Sequence, residues 1–162
     1  MDVFGSFPNE ARVWLYGFQK PLSKSEQREV SARLAEFITR WHSHEVAVRG
    51  EFEILHDQFV AITGVSEDGL AGCSIDSVFE NFKFLRDARG LDALNRDLVH
   101  FRDAGGTITV LDREAFKAEV TAGKIGPDTV VFDLTIPTLG DLRAGRFQTR
   151  LSDSWHAAFL PA

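Results

Sequence analysis

The sequence predicts an α+β fold, a ferredoxin-like split β-α-β core whose mostly antiparallel sheet carries two main helices on one face. The order of elements is the first observation: strand, helix, hairpin, helix and strand follow one another over about residues 11–110. The second is a pair of amphipathic stripes at helical spacing, one on each side of an alternating hairpin. A further strand-helix-strand and an irregular C-terminal tail extend this core over about 111–162, within a single domain of residues 1–162.

Arg12-Val13-Trp14-Leu15-Tyr16-Gly17-Phe18 is rich in aromatic and β-branched residues and reads as the first strand, broken by Pro21. Ser23-Lys24-Ser25-Glu26 has capping-box spacing, in which hydroxyl and carboxylate satisfy the first free amides. Val30, Leu34, Phe37, Ile38 and Trp41 then follow on one helical face. Val48, Gly50, Phe52 and Ile54 alternate with polar residues, and His56-Asp57-Gln58 turns that strand into Phe59-Val60-Ala61-Ile62-Thr63. Ile75, Val78, Phe79, Phe82 and Leu85 mark a second helix that ends near Gly90.

Leu98-Val99-His100-Phe101 and Thr107-Ile108-Thr109-Val110 flank Asp103-Ala104-Gly105-Gly106, a second hairpin. Asp112 caps a short helix through Phe116 and Val120, stopped by Gly123, and Thr129–Leu134 is the last strand. Pro137 to Ser154 lacks periodicity and is expected to be extended or irregular. Ser154-Trp155-His156-Ala157-Ala158-Phe159-Leu160 is apolar enough to dock on the body.

Composition sets the outer bounds. A chain of 162 residues, 44% hydrophobic and 26% charged, buries a full core without disulfides or metals. Fourteen Phe and three Trp, including Trp14 and Trp41, make that core aromatic. A net charge of −6 opposes nonspecific nucleic-acid binding, which works by neutralising phosphates. A single cysteine cannot form an internal disulfide, and no signal segment or membrane-spanning apolar run is present, so a cytoplasmic location is expected.

The glycine-rich loop before the second helix concentrates the candidate chemistry. Gly64-Val65-Ser66-Glu67-Asp68-Gly69 has the Gly-x4-Gly spacing of a phosphate-binding loop, but Leu70 and Ala71 stand where that loop needs Lys and then Ser or Thr. Glu67 and Asp68 also oppose a nucleotide, so ATP hydrolysis here is not expected. Cys73 precedes the predicted helix, where free amides and the helix dipole favour a thiolate. Glu67, Asp68 and Asp76 disfavour one, and no Lys or Arg occurs from 50 through 82. A basic partner then has to come from elsewhere, and His156 in the docking tail is the candidate, with Asp76 as orienter. In the competing structural reading Cys73 is a small buried hydrophobe, and Ser74 or Asp76 caps a helix.

Other constellations are smaller. His42-Ser43-His44 lacks the further ligands of a metal site and suits the capping of helix carbonyls, so no metal or cofactor is expected. Arg12 and Arg49 are candidates to meet an anionic ligand, or serve as sheet-edge charges. Trp155 either lines a pocket with His156 or anchors the C-terminus.

Taken end to end, the chain resembles a family of short bacterial proteins, best known from the Bacteroidetes, whose members often carry the label ABC transporter ATPase. The likeness rests on Ala11-Arg12-Val13-Trp14-Leu15-Tyr16, Trp41 to His44, Gly72-Cys73-Ser74-Ile75-Asp76, Asp128-Thr129-Val130-Val131-Phe132, and Ser154-Trp155-His156 with Phe159-Leu160. The residues contradict the label: the phosphate-loop lysine and the Leu-Ser-Gly-Gly-Gln signature are both missing. The resemblance marks Cys73, Asp76 and His156 as motif positions and implies no reaction. Phe116 through Phe132 is also similar to the helix-turn-strand of GYF-type adaptor modules, without their Gly-Tyr-Phe signature.

The leading expectation is a module that binds a small ligand or a protein partner, with its surface where the 64–76 loop meets the C-terminal tail. Arg12 and Trp155 are its ligand-binding candidates, together with Ser74 and Ser77. The alternative is a cysteine-dependent acyl transferase or hydrolase. There Cys73 is the nucleophile, His156 the base and Asp76 the orienter, and the Ser74 and Ser77 amides stabilise the anion. A third expectation is a structural subunit that self-associates through a sheet edge or the aromatic tail.

Overall fold

Strand β1 (Arg12–Gly17) alternates as predicted, with Val13 and Leu15 buried on one face and Trp14 and Tyr16 half-buried on the other. The computed structural model describes residues 4–70 and 72–162, the side chain of Cys73 excepted. Helix α1 (Lys24–Thr39) begins at a complete capping box: Glu26 N–H donates to Ser23 Oγ at 3.1 Å, and Ser23 N–H to Glu26 Oε1 at 2.9 Å. A two-residue ribbon follows, β2 (His42–Ser43) with β3 (Val46–Ala47), turned by His44 and Glu45 at positive φ. His42 and His44 therefore sit in a tight hairpin, and His42 Nδ1 meets the carbonyl of Arg40, the C-cap of α1.

Next come β4 (Arg49–Leu55) and β5 (Phe59–Val65), joined by a turn in which Gln58 N–H returns to Leu55 O. Helix α2 (Gly72–Arg89) leads to the hairpin of β6 (Leu98–Arg102) and β7 (Ile108–Asp112). Helix α3 (Arg113–Thr121) is capped by Asp112, whose carboxylate accepts from Ala115 N–H at 2.7 Å. The chain ends with β8 (Val130–Phe132), α4 (Leu139–Arg143), β9 (Gln148–Arg150) and two 3-10 turns, Leu151–Asp153 and Trp155–Phe159.

The α+β class and the mostly antiparallel pairing hold. Strands order as β1-β5-β4 in one sheet and β7-β6-β8-β9 in another. In the first sheet β1 and β4, linked through α1, both lie antiparallel to β5. This pairing does not confirm a ferredoxin-like order, because β6, the expected fourth strand beside β1, belongs to the second sheet. Two further corrections concern local structure. Helix α2 starts at Gly72, so Cys73 lies within its first turn instead of before it. The segment 137–154 is ordered into α4 and β9, elements of five and three residues, too short to display a period.

Three apolar clusters hold the sheets. On one face of the first sheet, α1 (Val30, Leu34, Phe37) and α2 (Val78, Phe82, Leu85) cover Val60 and Ile62, and Tyr16 stacks on Phe82 at 3.7 Å. On the other face, Val13, Leu15, Phe59 and Ala61 meet Phe132, Ile136, Leu139 and Phe147. The rings of Phe59 and Phe132, 4.8 Å apart, join the two sheets. Each fully buried ring of this kind contributes about 1.5–3 kcal/mol. The third cluster packs α3 and Leu151 on Val99, Phe101 and Val131.

Trp41 explains two glycines that a strand would otherwise avoid. Gly50 and Gly64 face each other across β4 and β5, and a Cβ on either would lie 2.8 or 2.6 Å from the Trp41 ring. The indole lies across them and donates Nε1–H to Ser74 O at 2.9 Å, tying the end of α1 to the start of α2. Gly64→Ala is therefore expected to destabilise the protein by about 1–3 kcal/mol, through overpacking against that ring. Gly126→Ala, where a Cβ meets nothing within 4 Å, should stay within about 0.5 kcal/mol. Urea unfolding followed by tryptophan fluorescence measures both.

Candidate functional site

The outer edge of β1 is open along its middle. Phe18 N–H donates to Gln58 O at 2.9 Å, toward β5, whereas Val13 N–H donates to Pro137 O at 3.0 Å, away from it. Peptide groups alternate in direction along a strand, so those of Trp14 and Tyr16 join the β5 ladder and those of Leu15 and Gly17 point outward. Among the described residues, the Leu15 and Gly17 peptides have no hydrogen bond on that side.

Each end of the open stretch is closed. At one end the chain pairs Arg12 with Thr138 as an isolated antiparallel bridge. At the other, His100 Nε2–H from β6 donates to Phe18 O at 2.9 Å. Gly17 makes that contact possible, since a Cβ there would stand 2.7 Å from His100 Cε1. Between the two closures lies a cavity of about 480 Å³, bordered by all six residues of β1. Residues of both faces in unbroken succession are what a groove along a strand's edge presents. Its far walls come from residues 93–98, from β6, from residues 134–137 and from the C-terminal 3-10 turn.

Among the described residues, the charged side chains lining the cavity are Arg12, Arg96 and Arg113, with no aspartate or glutamate. Arg12 lies 5.4 Å from the centre of the Trp14 ring and Arg113 5.1 Å from that of Trp155. Among the described residues, no carboxylate lies within ion-pairing distance of any of these arginines. In a protein of net charge −6, this cavity is locally cationic. Phe79 and Trp155, each 38% exposed, give it apolar surface.

His156 supplies a polar group of known sense. Its ring stacks on Trp155 with centroids 4.0 Å apart and is buried. The Ser154 hydroxyl donates to Leu151 O at 3.0 Å, so its lone pairs receive both His156 N–H at 3.1 Å and the ring Nδ1–H at 2.8 Å. With the hydroxyl proton on Leu151 O, the ring proton is on Nδ1 and Nε2 is an acceptor. Burial pushes the His156 pKa down to about 4, against the nearby Asp133 carboxylate and with the help of Arg113. Burial also lowers His100, in part offset by its bond to Phe18 O.

Of the candidates drawn from sequence, Arg12, Trp155 and His156 come together on this cavity. The others do not join them among the described lining residues. Arg49 lies over the Phe7 ring and bonds Ser6. Ser74 is buried, with its carbonyl taken by Trp41, and Ser77 falls beyond the first four amides of α2, where the helix ladder engages its N–H. Asp76 is exposed, and the partner of His156 Nδ1 is Ser154. The Cys73 side chain lies outside the described residues. Sequence reasoning passed over Arg96, Arg113 and His100. Of these, His100 carried a signal, a lone imidazole amid the apolar residues of a strand. No group of three or more metal-ligating side chains is found among the described residues, and no helix there is long and apolar enough to cross a membrane. Compared with known proteins, the chain matches no family model, no curated protein and no solved structure.

The buried histidines give the protein an acid sensitivity of defined sign. An unfolded chain protonates histidine near 6.5, while folded His156 stays neutral down to about 4. Between those values the unfolded state binds more protons, so stability rises with pH through this window and levels off above it. The urea midpoint should fall between pH about 7 and about 5. His156→Gln should remove part of that drop, leaving the share due to His100.

Proposed function

We propose that this chain is a binding module for a small organic anion, held in the cavity along β1. The observation that carries the proposal is a cavity of about 480 Å³ with three arginines and no carboxylate among its described lining residues, in an acidic protein. Such a volume suits a drug-sized ligand. Guanidinium groups recognise carboxylate or phosphate oxygens by paired N–H donors. The exposed faces of Phe79 and Trp155 take a flat or apolar portion of the ligand, and His156 Nε2 accepts from an N–H or O–H donor. A histidine whose pKa lies near 4 is a weak base at neutral pH, which favours binding over base catalysis by this ring.

Phenylacetate and N-acetylphenylalanine, with their primary amides as neutral counterparts, test the reading. The acids are expected to raise the melting temperature and the amides to bind about tenfold more weakly or less, the loss of one charge-assisted contact. Arg113→Gln and Arg12→Gln should each weaken acid binding by about 3–10-fold, and added salt should do the same. Equal binding of acids and amides, or binding by neither, contradicts the proposal.

A further inference from the structure

We propose that the occupant of this cavity is the carboxyl-terminal segment of a partner protein, added as a short strand to the outer edge of β1. This inference rests on the anion-binding reading above and goes beyond it by naming the ligand class. The Leu15 and Gly17 peptide groups point out of the first sheet without a partner among the described residues, although both residues are buried. An unpaired strand edge of this kind is a template for pairing with another chain. An extended peptide supplies N–H and C=O groups at the spacing that matches them, as in recognition by strand addition.

The closures at each end fix the size of what fits. Val13 N–H is already taken by Pro137 O, and Phe18 O by His100. The open stretch between them is the four residues Trp14 to Gly17, and from Val13 to Phe18 the strand covers roughly 17 Å, enough for an added strand of about three residues and its carboxylate. A ferredoxin-like sheet would seat its fourth strand on this edge, and here β6 belongs to the second sheet. Segment 136–139 already lies beside the start of β1 in antiparallel sense, so an added strand continues a pairing the chain itself begins.

Charge decides which part of a peptide enters. The three lining arginines suit a terminal carboxylate, and the described lining residues include no carboxylate to receive the ammonium of a short free peptide. The amino side of the bound segment is therefore an amide, as in a chain that continues outward. Trp14, Tyr16 and Phe79 border the groove where side chains of an added strand would alternate.

The test is amide NMR of the full chain with equimolar pools of N-acetyl tripeptide acids. Parallel pools carry methylated backbone nitrogens, a C-terminal carboxamide, or a free amino terminus. The acetylated acids should shift the Leu15 and Gly17 amide signals and slow their solvent exchange by about tenfold or more, as new ladder bonds would. Backbone methylation should abolish this, and the carboxamide and free-amine pools should bind about tenfold more weakly. Methylated peptides acting as well as the unmethylated ones would overturn strand addition, and equal binding of the free-amine pool would overturn the protein terminus as occupant. If phenylacetate moves the Trp155 and Arg113 signals while no pool moves Leu15 or Gly17, the anion site stands and the strand inference falls. If no probe moves any of these signals, both fall.

Discussion

One hydrogen bond ties the two sheets together where β1 ends, the donation from His100 Nε2–H to the carbonyl of Phe18. That carbonyl also accepts Gln58 Nε2–H at 3.1 Å, so one oxygen joins the end of β1, the turn before β5 and the middle of β6. The imidazole lies on the face of the first sheet that carries Val13 and Leu15, beside Phe59, and borders one end of the cavity. Gly17 is a condition of the arrangement, since any side chain there would meet the ring. The junction carries a cost. Among the described residues, His100 Nδ1 and Gln58 Oε1 are buried without hydrogen-bond partners, and such atoms cost about 1–3 kcal/mol each. Phe59 offsets it by packing on His100 at 5.0 Å and on Phe132 across the sheets.

The electrostatics of the cavity follow from the segments that meet there. Because β1, residues 93–98 and the start of α3 share it with the C-terminal turn, Arg12, Arg96 and Arg113 border one space. Arg113 is oriented by its bond to Arg96 O and by the Trp155 face. Burial raises the Tyr16 pKa to about 12, against the pull of Arg96, so the phenol remains a neutral wall of the groove.

Much of the fold was legible because its signals are local. The capping box at Ser23 and Glu26, the cap at Asp112 and the alternation of β1 and β4 need no distant partner to be recognised. The assignment of β6 to a second sheet was not legible. It follows from the strand that β6 pairs with beyond its own hairpin, β8 and not β1, and nothing in either segment alone announces it. The site was readable in part for the same reason. Arg12, Trp155 and His156 stood out as residue types, whereas Arg96 and Arg113 look like ordinary surface charges until the tail docks beside them. Cys73 drew attention through its glycine-rich setting, yet the described lining of the cavity draws only Phe79 from α2.

Amide hydrogen exchange along β1 in the unliganded protein tests the central claim, that this edge is open between its two closures. The account predicts slow exchange at Trp14 and Tyr16, which bond to β5, and at Val13, which bonds to Pro137. It predicts fast exchange at Leu15 and Gly17. Uniform protection from Val13 through Gly17 would contradict it, because a strand of the protein itself would then occupy the edge and leave no groove to fill.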